Sequence, residues 1–334
     1  MKIFFIGADD ANQRLDKFLK KLFPQATRGL IYKINRKGKI KISIDGINFL
    51  KQDNEYKLPL NSQVKIFLSD TDFSLLQAKK EENKIMYGEK NILKKEDIVY
   101  EDGSILLINK NPGINVHPGE NKSKEASLIE LVHDYFGETL TSLTFRPSLV
   151  HRLDRDTSGI VVIAKKKDML TRLVNDFKTH NSIKKIYFAL VLGKLPSKEG
   201  KIEENLTRIE NATKENKVKI DKNGKNALTY YKVLNEYILE TKNGKEIISE
   251  LEIEIQTGRM HQIRVHLAYI GNPIIGDKLY GNKSFNHYIC QEFGFCRQAL
   301  HAWKLEFFHY ERNKKILLEA RLKEDMKNFI DKLK

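Results

Sequence analysis

A short polar loop held between two apolar runs constrains this chain more than any other stretch. It lies at residues 148–166, Ser-Leu-Val-His-Arg-Leu-Asp-Arg-Asp-Thr-Ser-Gly-Ile-Val-Val-Ile-Ala-Lys-Lys. Leu149-Val150 leads in, and Ile160-Val161-Val162-Ile163 leads out. Four β-branched residues in succession predict a buried strand. Between the runs stand His151, Arg152, Asp154, Arg155, Asp156, Thr157 and Ser158, with Gly159 closing the turn. A charged loop fixed by buried strands is a common place for chemistry. It also fits a solvated turn whose charges compensate one another.

At 334 residues the chain is long for a single core, and two domains are expected. Lys and Arg total 59 against 44 Asp and Glu, a net charge of +15. That excess points to a polyanion, nucleic acid before membrane, although a lysine-rich genome produces the same bias. The only cysteines, Cys290 and Cys296, are too few for a disulfide framework or a four-ligand zinc site. They are expected to be reduced thiols in a cytoplasmic protein. The opening Met1-Lys-Ile-Phe-Phe-Ile-Gly is too short an apolar run for a signal peptide, and Asp9-Asp10 follow it. No stretch reaches the roughly 18 apolar residues of a membrane span.

Residues 1–70 read as a small α/β domain. Apolar residues at 15, 18, 19 and 22 give a helix that Pro24 ends. Thr27 caps a second helix that Gly38 stops, with Leu30, Ile31 and Ile34 inward. Its other face carries Arg28, Lys33, Arg36 and Lys37, with Lys39 just beyond. Residues 39–44 alternate as a half-buried strand, and 64–67 form another. Residues 71–96 are polar and lysine-rich and read as a linker. Residues 97–334 make the larger domain. Ile98 to Lys110 is a hairpin turning at 101–104, and Ser127 to Phe136 is a helix. Asp168 caps a further helix. Lys184 to Gly193 and Ser249 to Gln256 are strands by alternation. Tyr187 beside small Ala189 leaves room over its ring for a planar base, although a core tyrosine gives the same period. Thr257-Gly-Arg-Met-His-Gln-Ile-Arg leads into a helix with Met260, Ile263, Leu267 and Ile270 in phase. The turn at Gly258 and Arg259 suits an anion or a neighbouring carboxylate. His261 and His266 lie five apart and do not stack as a zinc pair.

His151-Arg-Leu-Asp154 with Thr157-Ser-Gly159 resembles the signature loop of the RluA-type pseudouridine synthases. Lys185-Ile-Tyr-Phe-Ala-Leu-Val-Leu-Gly193, Thr257 to Arg264, Pro273 to Gly281 and Ala299 to Trp303 are similar to other segments of that family. Gln13 to Leu19, Thr27-Arg28, Ile31-Tyr32 and Arg36 to Lys41 resemble an S-four-type RNA-binding module, although Asn61-Ser62 departs from its usual Gly-Asp.

The resemblance implies an α+β fold, with a mixed, largely antiparallel sheet carrying a central cleft and the small RNA-binding domain in front. It implies isomerisation of uridine to pseudouridine with no cofactor and no metal. Asp154 is the implied catalytic carboxylate, with Asp156 its rival by proximity. Arg259 is implied to pair with Asp154, favouring the ionised form and aiming it. Tyr187 is the implied active-site tyrosine, and Ile263 walls the pocket. Arg152 fills the stack vacated by a flipped base. Arg28, Lys33, Arg36, Lys37 and Lys39 hold phosphates. Attack at the sugar C1′, attack at the base C6 and elimination across the sugar all remain open. Tyr280 to Asn286, Arg297 and Leu300-His-Ala302 lean to the RluC branch, whose substrate is large-subunit ribosomal RNA. Val116-His-Pro-Gly119 leans to the RluD branch on the same RNA. The alternatives are a transfer-RNA enzyme or a non-catalytic RNA-binding factor. A nuclease lacks its metal carboxylates or paired histidines. A monomer with no membrane association is expected.

Overall fold

The computed structural model describes residues 1–78, 92–118, 126–137, 142–180, 182–209, 217–241 and 244–334. The lysine-rich run at 79–84 lies outside them. The chain divides into two compact units. One comprises Met1–Ile92, Leu131–Ser148 and Lys165–Asp168; the other comprises Leu93–Glu130, Leu149–Ala164 and Met169–Lys334.

The first unit contains β1 (Lys2–Phe5), α1 (Leu15–Leu22), α2 (Arg28–Arg36), β2 (Ile40–Ser43), β3 (Gln63–Ile66) and α3 (Asp70–Gln77). The strands form an antiparallel sheet in the order β1-β3-β2. Leu15, Phe18 and Leu19 of α1 and Ile31 and Ile34 of α2 are buried with Ile40, Ile42, Val64 and Ile66 of the sheet. Each such side chain contributes about 1.5–3 kcal/mol when removed from water. The Thr27 hydroxyl accepts from the Leu30 amide, and Gly38 (φ 68°) turns the chain after α2. Strand β1 was not expected, because its apolar run was weighed only against a signal peptide. Helix α3 stands at the start of the expected linker, where the Ser69 hydroxyl caps it by accepting from Asp72 N. Asp10, 2 % exposed, accepts from Ser142 Oγ, Leu143 N, Thr144 N and Thr144 Oγ1 at 2.6–3.0 Å. Those four donors satisfy a carboxylate that burial would otherwise penalise.

The second unit is built on a 10-stranded sheet. In chain order it includes β4 (Ile98–Glu101), β5 (Ile105–Lys110), β6 (Ser148–Leu149), β7 (Ser158–Ala164) and β8 (Lys184–Leu192). After β9 (Glu199–Glu203), the strands β10 (Leu206–Arg208) and β11 (Val218–Ile220) form a separate ribbon. Then follow β12 (Leu228–Thr241), β13 (Gly244–Ile255), β14 (Leu300–His309) and β15 (Lys314–Glu319). The main path is β4-β5-β7-β14-β8-β13-β12-β9. The β14–β7 pair is parallel, whereas β4–β5, β5–β7, β14–β8, β14–β15, β8–β13, β13–β12 and β12–β9 are antiparallel, so the sheet is mixed and largely antiparallel. The helices are α4 (Leu128–Phe136), α5 (Lys167–Thr179), α6 (Gln262–Tyr269), α7 (Lys283–Phe293) and α8 (Glu324–Leu333), with α4 and α5 crossing the division between units.

All seven residues of β7 are buried, as the β-branched run predicts. Gly159 has φ 110°, and a Cβ there would overlap the Ala302 backbone. Glycine is therefore required where β7 meets β14. Asp168 lies inside the first turn of α5 rather than capping it, because the helix already begins at Lys167. Helix α6 begins at Gln262 and leaves Met260, 39 % exposed, in the preceding turn. His261 sits there in the left-handed region (φ 54°), which interrupts the expected helical phase. The expectation of free thiols is also corrected. Gly294 (φ 72°) reverses the chain after α7, bringing the Cα atoms of Cys290 and Cys296 to 4.6 Å, and their sulfurs are bonded.

His301 is fully buried beside β7. Its Nδ1 lies 2.8 Å from Ser158 Oγ, and its Nε2 lies 3.2 Å from the Ala320 carbonyl. A neutral ring suits both contacts, with Nε2–H donating and Nδ1 accepting. Burial pulls its pKa from 6.5 to about 4. Below the unfolded value the unfolded chain takes up a proton that the folded ring refuses, so stability falls as the pH drops from 6.5 toward 4. The loss reaches on the order of 3 kcal/mol. Denaturant titrations across that window are expected to show it, and His301→Gln is expected to reduce the slope to the share left by His151, which burial also lowers to about 4. A slope unchanged by the substitution would assign the acid sensitivity elsewhere.

Candidate active site

The 150–159 loop is fastened from several sides. Val150 N donates to the Val162 carbonyl, and Thr157 N donates to the Asp154 carbonyl at 3.2 Å. His151 Nε2 accepts from Val162 N at 3.1 Å, and its ring stacks on Phe177 with centroids 4.5 Å apart. Burial lowers its pKa to about 4, so this ring is neutral and holds the loop. Lys110, at the end of β5, is 1 % exposed. Its ammonium donates to the carbonyls of Asn111, Ile114 and Arg155 at 2.8, 3.0 and 2.8 Å. Burial pulls Lys110 down to about 7, while three acceptors match the three donors of its charged form. Gly113 N also donates to the Arg155 carbonyl, and Arg155 Nε returns a bond to the Gly113 carbonyl.

This fastening presents Asp154 with its side chain 29 % exposed. Its Oδ2 accepts from Arg264 Nη1 at 2.9 Å. Arg264 is held from behind, because its Nε and Nη2 donate to Asp277 at 2.6 and 2.8 Å. Asp277 is buried and also accepts from the amides of Leu279 and Tyr280. Burial works against charge on both partners. Their mutual contact outweighs it, holding the Arg264 pKa above and the Asp277 pKa below their ordinary values. The guanidinium is thus a rigid bridge between a buried carboxylate and a partly open one.

The expected Arg259–Asp154 pair does not form. Arg259 is exposed in the turn before α6, where its Nε donates to the Asn226 carbonyl at 3.2 Å. Gln262 Oε1 holds the Arg259 amide at 3.0 Å and the Thr257 hydroxyl at 2.7 Å, which fixes the turn. Arg264 sits inside α6, whose residues Gln262 to Leu267 are all buried. The motif Thr257 to Arg264 contains both arginines, and the left-handed turn at His261 between them separates their directions.

Tyr187 lies on β8, opposite Ile253 of β13 and Ala302 of β14, in the middle of the sheet. Burial first, and the Asp154 charge second, raise its pKa, so the hydroxyl stays protonated near neutral pH. Ile263 is 4 % exposed and belongs to the core against which Tyr187 packs. His261 adds a contact that sequence reasoning did not use. Its Nε2 lies 3.8 Å from Asp154 Oδ2, and its Nδ1 lies 2.9 Å from the Tyr280 hydroxyl. That hydroxyl already accepts from Val218 N at 2.9 Å, leaving its own proton for Nδ1. In that tautomer Nε2–H faces the carboxylate. Burial lowers the His261 pKa, with the Asp154 charge opposing.

Arg152 is exposed on the catalytic loop. Arg28, Lys33, Arg36, Lys37 and Lys39 are exposed on and just after α2. Among the described residues no group of three or more His, Cys, Asp or Glu side chains could hold a metal ion.

The central-sheet tyrosine and the arginine-clamped aspartate on a fastened loop make up one candidate enzyme site. The RNA pseudouridylate synthase family matches the chain over residues 104–269. "Ribosomal large subunit pseudouridine synthase C" of Buchnera aphidicola subsp. Schizaphis graminum is 35 % identical over 334 residues, spanning 100 % of this chain and 98 % of that protein. "Ribosomal large subunit pseudouridine synthase D" of Yersinia pestis is 32 % identical over 335 residues, spanning 98 % of this chain and 93 % of that protein. The solved structure of human RNA pseudouridylate synthase domain containing 4 shares the fold, with a TM-score of 0.55 at 24 % identity over 71 % of this chain and 92 % of that one. The chain belongs to the RluA-type RNA pseudouridine synthase family.

Proposed function

We propose that this enzyme isomerises specific uridines of large-subunit ribosomal RNA, as the RluC branch does, with Asp154 as the catalytic group. The observation that carries the reading is the Asp154–Arg264–Asp277 bridge beside Tyr187. The N1–C1′ bond breaks, the base turns, C5 bonds to C1′, the C5 proton leaves, and the freed N1 takes up a proton. Attack at C1′, attack at C6 and elimination across the sugar each begin from the same carboxylate. Arg264 aims it, and Tyr187 presents a ring for stacking and a protonated hydroxyl. Arg152 takes the place of the flipped base, which costs a few kcal/mol to unstack. Ile263 backs the pocket. Arg259 stands at the rim as an RNA contact rather than as the partner of Asp154. Residues 1–70 act as the RNA-binding module, where Arg28, Lys33, Arg36, Lys37 and Lys39 contact phosphates, and residues 97–334 form the catalytic body. The site draws its groups from one chain, and we assign a cytoplasmic monomer without a cofactor.

Purified protein offered deproteinised large-subunit RNA, small-subunit RNA and transfer RNA tests this reading. Pseudouridine is expected at defined large-subunit positions only. Product in transfer RNA alone would overturn the substrate assignment.

His261 serves as a positioning residue in this reading. His261→Phe removes the Nε2–H that faces Asp154 while keeping a ring against Tyr280. Because 3.8 Å is longer than a hydrogen bond, kcat is expected to fall only about tenfold, with KM for RNA unchanged. His261→Gln, which restores a donor, is expected to recover most of the loss. A KM effect with constant kcat would make the residue an RNA contact instead.

A further inference from the structure

The outer face of the β1-β3-β2 sheet, opposite α1 and α2, has no role in the reading above. Its alternate residues form a row across the strands, with Ile3 opposite Lys65 and Lys65 opposite Lys41. Two lysines directly opposed on neighbouring strands repel one another. No ion pair of either lysine is found among the described residues. The nearest carboxylate along β2, Asp45, is occupied by Ser43 Oγ, the amides of Ile47 and Asn48, and Asn48 Nδ2. Aromatic rings flank the pair. Lys65 Nζ stands 3.7 Å from the Phe49 ring centroid, and Lys41 Nζ stands 5.9 Å from that of Phe67. Phe5, in register with Gln63, is 69 % exposed, and Ile3 is 40 % exposed. Phe67 N donates to the carbonyl of exposed Lys39, which joins this face to the cations after α2.

Opposed cations without an ion pair among the described residues, beside half-buried Phe49 and Phe67 and exposed Phe5, form a surface that a polyanion relieves and on which a flat base can stack. We propose that this sheet face binds a single-stranded RNA segment, with phosphates at Lys41 and Lys65 and a base stacked on Phe5. The proposal rests on the reading of the chain as an RNA-modifying enzyme. It adds a second RNA contact on the side of the module away from the α2 cations. An apolar protein partner fits less well, because it would bury the lysine pair without an opposite charge.

Fluorescein-labelled dodecauridylate, titrated with the full chain at several salt concentrations, tests it. Lys41→Gln with Lys65→Gln is expected to weaken binding tenfold or more at low salt. The slope of log affinity against log salt should shrink by about 1.4, from roughly 0.7 per cation lost. Phe5→Ala is expected to weaken binding about fivefold or more, whereas Phe5→Trp keeps the affinity and gains an emission that RNA quenches. Thermal midpoints of the lysine variant should not fall, because a repulsion is removed. Wild-type affinity and slope in the lysine variant would overturn the proposal. So would loss of self-association in Phe5→Ala, seen by sedimentation, with RNA binding intact. If wild-type protein forms pseudouridine in ribosomal RNA while these variants bind normally, the sheet face alone is refuted. If wild type forms none, the functional reading fails instead.

Discussion

Asp154→Asn is expected to bind large-subunit RNA as tightly as wild type and to form no pseudouridine. The substitution keeps the size of the side chain and leaves Arg264 an amide oxygen to contact. The loop also keeps its fastening, since the Lys110, Gly113 and His151 contacts use backbone groups or other side chains. What is lost is the carboxylate that every route of the isomerisation needs. Removal of a sole reacting group typically costs about 10⁴-fold or more in kcat. Mass-spectrometric counting of pseudouridine, with filter binding on the same RNA, separates the two quantities. Residual turnover within tenfold of wild type would move the chemistry to another residue, Asp156 first. Weakened binding with normal turnover would make Asp154 an RNA contact.

Arg264→Met should damage both activity and stability. The Arg264 side chain is 7 % exposed and bridges Asp154 to an Asp277 side chain that is 0 % exposed. Removing it leaves Asp277 with only the Leu279 and Tyr280 amides. An abandoned buried charge costs about 3–5 kcal/mol. That corresponds to a fall in thermal midpoint of order 10 °C for a unit of this size. Asp154 also loses its fixed donor, which is expected to lower kcat by roughly 10²–10³-fold. Arg264→Lys should recover little, because a point charge cannot fork between two carboxylates. The double variant Arg264→Met with Asp277→Leu separates the effects. Stability is expected to return in part while activity does not. Recovery of both together would show that Arg264 acts only through folding. Unchanged stability in the single variant would contradict the buried bridge.

Much of this site was legible from residue order. The β-branched run at 160–163 forms the fully buried β7, and the alternation at 184–193 forms β8, the two strands that carry the end of the loop and Tyr187. The arginine was misassigned because a motif gives residue types without direction. Arg259 and Arg264 both follow β13, and only the left-handed turn at His261 decides which one points inward. The burial of Lys110 is not legible in the sequence, because its three carbonyl acceptors belong to backbone that residue order does not display. Asp277 and Tyr280 stand in a segment to which the sequence assigns no role in the site. Their contribution depends on a chain reversal that brings them behind Arg264 and His261. Strand β1 escaped because four residues carry too little period to declare themselves without a partner strand.

The most direct test maps pseudouridine site by site in ribosomal RNA from cells that lack this protein, with wild type or Asp154→Asn restored. The account predicts that defined large-subunit positions lose pseudouridine and that wild type alone returns it. A map unchanged by the deletion, or restored equally by Asp154→Asn, would contradict it.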